Sequence, residues 1–220
     1  MRRRFFRAAA IVIAAAVFAP AVATADPIYL SSTRRVYVEL GATMPNQQMV
    51  APDNGPFSAA VSLSDGDLSA SALQASVLSP NGIFGAGATR VGETLSTSAL
   101  AINQLLVNFS LATAHAYSFA ATIAGSSSGG YLAPAGSATS IFAIPAQSAA
   151  DVRYAGLLPP GQYQFLVGLT SLAGRPQGSF QVSLQLTEPN VAPTPEPATL
   201  LLLGSGGALL MTRARRRRRL

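Results

Sequence analysis

Phe180-Gln181-Val182-Ser183-Leu184-Gln185-Leu186-Thr187 alternates apolar and polar side chains without a break. Successive side chains of a strand point to opposite faces. Phe180, Val182, Leu184 and Leu186 therefore share one face, and Gln181, Ser183, Gln185 and Thr187 the other. A helix would scatter the same residues around its circumference, so the stretch reads as a half-buried strand. The pattern recurs upstream in Tyr163, Phe165, Val167 and Leu169, and in Tyr117, Phe119, Ala121 and Ile123, with Ser118, Ala120 and Thr122 opposite. Val107, Phe109 and Leu111 make a shorter run. Val36 to Leu40, Phe57 to Leu63, Leu68 to Leu78 and Thr139 to Ile144 are further strand candidates. Ser98 to Leu106 has the composition of a short helix, and Leu68 to Leu78 tolerates one; both are read as mostly strand. Asp65-Gly66, Asn81-Gly82, Gly125 to Gly130, Pro159-Pro160-Gly161 and Gly174 to Gly178 supply the turns between them.

Many short strands with polar turns and no alternation with helices predict an all-β fold, an antiparallel, jelly-roll-like β-sandwich over residues 26–188. Its apolar faces should turn inward and leave Gln, Ser and Thr outside. Leu157-Leu158-Pro159-Pro160-Gly161-Gln162-Tyr163 predicts a Pro-Gly turn leading into a strand whose Tyr ring packs inward.

The ends of the chain have a different chemistry. Of fifteen Arg, with no Lys, four lie in the first seven residues and six in the last eight. Between Asp26 and Pro197 five Arg face nine acidic residues, a balance of −4. The basic character belongs to the extremities, and the middle lacks the cationic face a nucleic-acid-binding domain needs. Cysteine is absent, which excludes disulfides and thiolate metal sites.

Met1 to Arg7 is a positive segment, Ala8 to Val22 is apolar, and Ala23-Thr24-Ala25 offers small residues for cleavage. This predicts a signal peptide over 1–25, formed as a short helix and cut after Ala25, with Ala23 as the alternative. The apolar run of about fifteen residues is shorter than the roughly 20 that span a bilayer. Arg2-Arg3-Arg4-Phe5-Phe6-Arg7 is a loose match to a twin-arginine export motif, and general secretion is the preferred route.

At the other end, residues 189–199 are Pro-rich and should be extended, because Pro fixes φ and removes a donor. Residues 200–212 are apolar and predict a short transmembrane helix; Leu200 to Met211 alone would be about 18 Å long. Arg213, Arg215, Arg216, Arg217, Arg218 and Arg219 occupy 213–220 and should remain cytoplasmic. The middle of the chain must then lie outside.

Pro195-Glu196-Pro197-Ala198-Thr199-Leu200, followed by a Leu/Gly segment and a terminal Arg cluster, resembles the PEP-CTERM sorting signal. The resemblance covers about 25 residues, in matching order. It implies recognition and cleavage by an exosortase, a membrane enzyme for which Pro195, Glu196 and Pro197 would be the recognition residues. It also implies a Gram-negative host that makes exopolysaccharide, with the export machinery and the membrane as transient partners. More loosely, the Pro-Gly-Tyr turn and the final strand resemble β-domains joined to such tails.

No catalytic constellation emerges from the middle. His115 is the only histidine, no Gly-x-Ser-x-Gly elbow surrounds any Ser, and His115 is expected to be a turn residue open to solvent. Asp65 and Asp67 flank Gly66 and are the one candidate pair for Ca²⁺, but a hairpin turn is the preferred reading of Asp65-Gly66-Asp67. Asp53, Glu93 and Asp151 are scattered. Gly85-Ala86-Gly87 lacks the third Gly of a dinucleotide loop, and Asn108-Phe109-Ser110 matches a glycosylation sequon only within a predicted strand. No cofactor is expected. The function that follows is a non-enzymatic surface or extracellular polysaccharide matrix protein. The alternative is a carbohydrate-binding module using Ca²⁺ through Asp65 and Asp67.

Overall fold

The computed structural model describes residues 26–41, 45–92, 99–125, 128–145, 150–172 and 177–189. The signal peptide over 1–25 with its cleavage residues Ala23 and Ala25, the Pro195-Glu196-Pro197 tripeptide, the 200–212 segment and the Arg213 and Arg215–Arg219 cluster lie outside them.

Among the described residues every regular element is a strand, and the strands form two antiparallel sheets. One sheet has the order β2 (Asn46–Val50), β1 (Ile28–Leu40), β6 (Ala99–Leu111), β11 (Gly161–Leu172), β8 (Ser128–Pro134), β9 (Phe142–Ile144). The other runs β10 (Ala150–Leu158), β7 (His115–Gly125), β12 (Gln177–Thr187), β5 (Gly82–Val91), β4 (Leu68–Ser79), β3 (Phe57–Asp65). We call them the first and second sheets. Their inner faces pack as a β-sandwich.

The expected alternation holds in β12: Phe180, Val182, Leu184 and Leu186 are buried while Gln181, Gln185 and Thr187 are exposed. In β6 it runs unbroken for 13 residues, which merges the ambiguous Ser98–Leu106 segment and the Val107–Leu111 run into one strand. The Pro-Gly turn also behaves as expected. Tyr163 is buried, and its hydroxyl donates to the Pro159 carbonyl at 2.6 Å, tying the strand to the turn before it.

Strands β2, β5, β8 and β10 are additions to the sequence reading. Gly-rich β5 has a packing reason. A Cβ on Gly85 would stand 2.7 Å from Leu105 Cδ2, and one on Gly87 would stand 2.8 Å from the Phe180 ring. Glycine here lets large side chains of the facing sheet and the neighbouring strand close over the backbone. Similarly, the Gly125 to Gly130 turn is shorter than expected, because β8 already begins at Ser128.

The core has two parts. The larger one is rich in rings: Phe119 and Phe142 stack at 4.5 Å, Phe142 and Tyr154 at 4.9 Å, and Phe109 and Tyr163 at 5.6 Å. The smaller one joins Val36, Val38 and Leu40 to Phe57, Val61 and Val91 over a lining of Ala59, Ala70, Ala72, Ala99 and Ala101. Buried polar side chains lie between them: Gln74, Thr89, Asn103 and Ser171, with Arg34 near one end. Gln74 Nε2 donates to the Gln104 carbonyl at 3.1 Å, Asn103 Nδ2 donates to the Leu73 carbonyl, and Thr89 and Ser171 share a hydrogen bond of 2.7 Å. Each of these bonds joins one sheet to the other.

Candidate functional site

The acidic pair is a hairpin turn. Asp65 closes β3 opposite Leu68, Gly66 takes φ +58°, and both Asp65 and Asp67 are exposed at the tip. Gly at that left-handed position is the ordinary solution for a two-residue hairpin loop. Among the described residues no three His, Asp or Glu side chains gather as metal ligands.

His115 differs from expectation. It is only 3% exposed, opens β7 opposite Leu158, and its Nδ1 lies 3.0 Å from the Thr113 carbonyl. It shares the inward face of β7 with Tyr117 and Phe119, so the strand's alternation turns the ring inward, where the chain's own backbone engages it. It is a buried structural histidine and not a solvent-facing turn residue.

Arg34, which no sequence motif singled out, is fully buried. Its Nη1 donates to the Gly55 carbonyl at 2.7 Å, its Nη2 donates to the Asp53 carbonyl, and its guanidinium carbon lies 5.7 Å from the Phe57 ring centre. Asp53 in turn accepts from the Gly55 amide at 2.8 Å. The side chain thus fastens the loop between β2 and β3 to β1. Burial pulls its pKa below the ordinary guanidinium value, and the Asp53 carboxylate opposes that pull.

Tyr29 makes a comparable tie at the other end of β1. Its hydroxyl lies 2.7 Å from the Ser79 carbonyl and 2.9 Å from that of Gly82, holding the β4–β5 turn. Burial pushes its pKa up to about 12. These two ties are structural. They leave the outer faces as the places where another molecule can meet the sandwich.

The outer faces differ. On the second sheet, a groove of about 510 Å³ crosses β4, β5, β12, β7 and β10. Its floor is mostly small: Ala75, Ala86, Ala120 and Ser183. Phe84 stands toward one end, Asp151 and Arg153 toward the other, and Asp151 already accepts from the Thr122 hydroxyl at 2.7 Å.

On the first sheet, four outward side chains on four neighbouring strands form one directed hydrogen-bond row. Tyr131 donates to Gln164 Oε1, Gln164 Nε2 donates to Asn108 Oδ1 at 3.1 Å, and Asn108 Nδ2 donates to the Ser31 hydroxyl at 2.9 Å. Register places these side chains together, since Asn108 stands opposite Ser31 on one side and Gln164 on the other. Beside this row, Leu166 pairs with Leu106 and Leu106 with Thr33. At the β8 end, Tyr131 and Gln164 line a cleft of about 680 Å³ with Gly136, Ser137, Ala138 and Ser140 of the β8–β9 connection. Among the described residues no charged one lines it.

Gln164 and Asn108 were legible only as outward positions of predicted strands, and Tyr131 fell after a presumed Gly-rich turn. Their juxtaposition depends on the pairing of β8 with β11 and of β11 with β6, which sequence spacing does not specify.

Comparison with known proteins adds one assignment. Residues 193–219 match the PEP-CTERM protein-sorting motif, as the tripeptide, apolar segment and Arg cluster led one to expect. No curated protein matches the chain. A solved structure described as a carbohydrate binding module of family 29 aligns over 72% of this chain and 91% of its own, at 12% identity and a TM-score of 0.24. A TM-score that low does not establish a common fold.

Proposed function

We propose, for a chain that carries a PEP-CTERM protein-sorting motif, that it is exported with the help of its amino-terminal segment, sorted by an exosortase, and kept at the cell surface or in its polysaccharide matrix as a non-catalytic β-sandwich. The motif at 193–219 carries this reading. Pro195, Glu196 and Pro197 are then the residues presented to the processing enzyme. The apolar segment behind them holds the substrate at the membrane, and Arg213 with Arg215–Arg219 fixes its orientation through the positive-inside bias. The sandwich suits export because it contains no cysteine and needs no oxidation step to complete its fold.

Intact-mass measurement on the protein recovered from its host tests this directly. The expected product lacks the first 25 residues and the tail beyond the Pro195–Pro197 region. Recovery from the cytosol with both ends retained would overturn it. Glu196→Ala and a version without the last eight residues should each leave the carboxyl end unprocessed.

A further inference from the structure

We propose that the cleft beside the β8–β9 connection, continued by the Tyr131–Gln164–Asn108–Ser31 row, binds a neutral polysaccharide chain. The proposal rests on the matrix reading above and names the matrix component that this protein would hold.

The chemistry of the surface selects this class of ligand. An uncharged sugar ring presents hydroxyls at its edge and C–H groups on its faces. The row offers matching halves side by side: amides and hydroxyls from Gln164, Asn108 and Ser31, and apolar surface from Tyr131, Leu166 and Leu106. Each bonded amide still has one N–H and one lone pair to offer. The internal bonds fix which end of each amide points where, so donors and acceptors are set before a ligand arrives and little ordering remains to be done on binding.

Charge narrows the choice further. Among the described residues that line the cleft none is charged, which leaves an acidic polymer nothing to pair with on them. Its volume of about 680 Å³ is that of a small-ligand site. The row crosses four strands, and at about 4.8 Å per strand spacing it extends roughly 14 Å. That length suits a chain of several rings better than a single sugar. The groove on the second sheet is the weaker place for such a ligand. Its floor is alanine-rich, its Thr122 hydroxyl is already given to Asp151, and its far end carries the charges of Asp151 and Arg153.

Affinity electrophoresis of the full chain in a zwitterionic detergent, through gels containing a soluble glucan, mannan or galactan, or alginate as the acidic polymer, tests the proposal. Retardation by at least one neutral polymer is expected, with weak or no retardation by alginate. Tyr131→Ala and Gln164→Leu should each weaken the apparent Kd at least tenfold. Phe84→Ala and Gln181→Ala on the other sheet should leave it within twofold. Thermal melts establish that each variant is folded, and Tyr131→Phe, which keeps the ring, should bind more tightly than Tyr131→Ala. If no neutral polymer retards the protein, if alginate alone does, or if binding follows Phe84 and Gln181, the proposal fails. Tail processing, read by intact mass, is independent of all of these, so binding can fail while the sorting reading stands.

Discussion

Toward β7, β9 and β10 the space between the sheets is filled by rings, whereas toward β3, β4 and the ends of β1 and β6 it is filled mostly by Val and Ala, with Leu40 and Phe57 among them. Phe119 touches three aromatic neighbours, Phe142, Tyr154 and Phe165, at centroid distances of 4.5, 6.2 and 5.9 Å. Ala101 and Ala99, on the opposite end of the sandwich, offer one methyl each. The separation of two packed sheets is set by what lies between them. Where the filling is small, the sheets approach closely enough for β4 to lie against both β1 and β6. Side-chain amides then reach the facing backbone, as Asn103 reaches Leu73 and Gln74 reaches Gln104. The polar seam lies between the two parts of the core, and there each of these amides finds a carbonyl across the gap.

Phe119→Ala should break the ring-filled part most severely, by about 4 kcal/mol, since truncating a buried Phe adds a cavity to the lost transfer energy. Urea unfolding would measure it, and a loss under 1 kcal/mol would mean that the rings do not hold the sheets together. The alanine-lined part should respond in the opposite sense to size. There, enlargement is the injury: Ala101→Leu should cost about 2 kcal/mol by overpacking. A neutral or stabilising result would show that the gap has slack.

The seam can be probed at the Thr89–Ser171 bond. Thr89→Val or Ser171→Ala alone should cost about 1 to 2 kcal/mol by orphaning a buried hydroxyl, while the double substitution should recover part of that loss. A double-mutant cycle with no coupling would show that the bond contributes nothing. The smallest effect is expected from Tyr29. Its hydroxyl is neutral in the fold up to about 12, against 10.0 for the free group. The unfolded chain therefore releases this proton first as pH rises, so stability present below pH 10 declines between 10 and about 12. Tyr29→Phe should be less stable at neutral pH but flatter across that alkaline window, as read from chemical denaturation at several pH values.

Strands whose residues alternate were legible in the sequence, because the alternation is itself the burial pattern: β7, β11, β12 and the Val107–Leu111 half of β6 are examples. Strand β5 was not. Its Gly85 and Gly87 stand where an apolar alternation would show, and they serve as clearance for Leu105, Asn103 and Phe180. The exposed Asn46–Val50 strand has no buried face to impose a pattern, so nothing in its sequence marks it. The outward Tyr131–Gln164–Asn108–Ser31 row was hidden for a related reason. Its members are ordinary one at a time, and only the register of strands distant in sequence brings them together. The polysaccharide site proposed from that row was therefore invisible at the level of motifs, while the sorting tail, a contiguous signal, was fully visible.

Strand β12 is the last of the described strands along the chain, yet it sits between β5 and β7 at the middle of its sheet. A polypeptide that leaves a translocation channel amino end first cannot join those two partners until residues 177–187 have come through. Until then β5 and β7 each expose an unpaired edge, and Ile83, Phe119 and Ile123 face water where Phe180, Val182 and Leu184 will later cover them. If the chain is exported unfolded, as the general-secretion reading proposes, closure of the body would be timed to the passage of its final strand, only a few residues ahead of the sorting motif. Under that proposal folding would finish while the tail is still being threaded, and the completed sandwich could not slip backward.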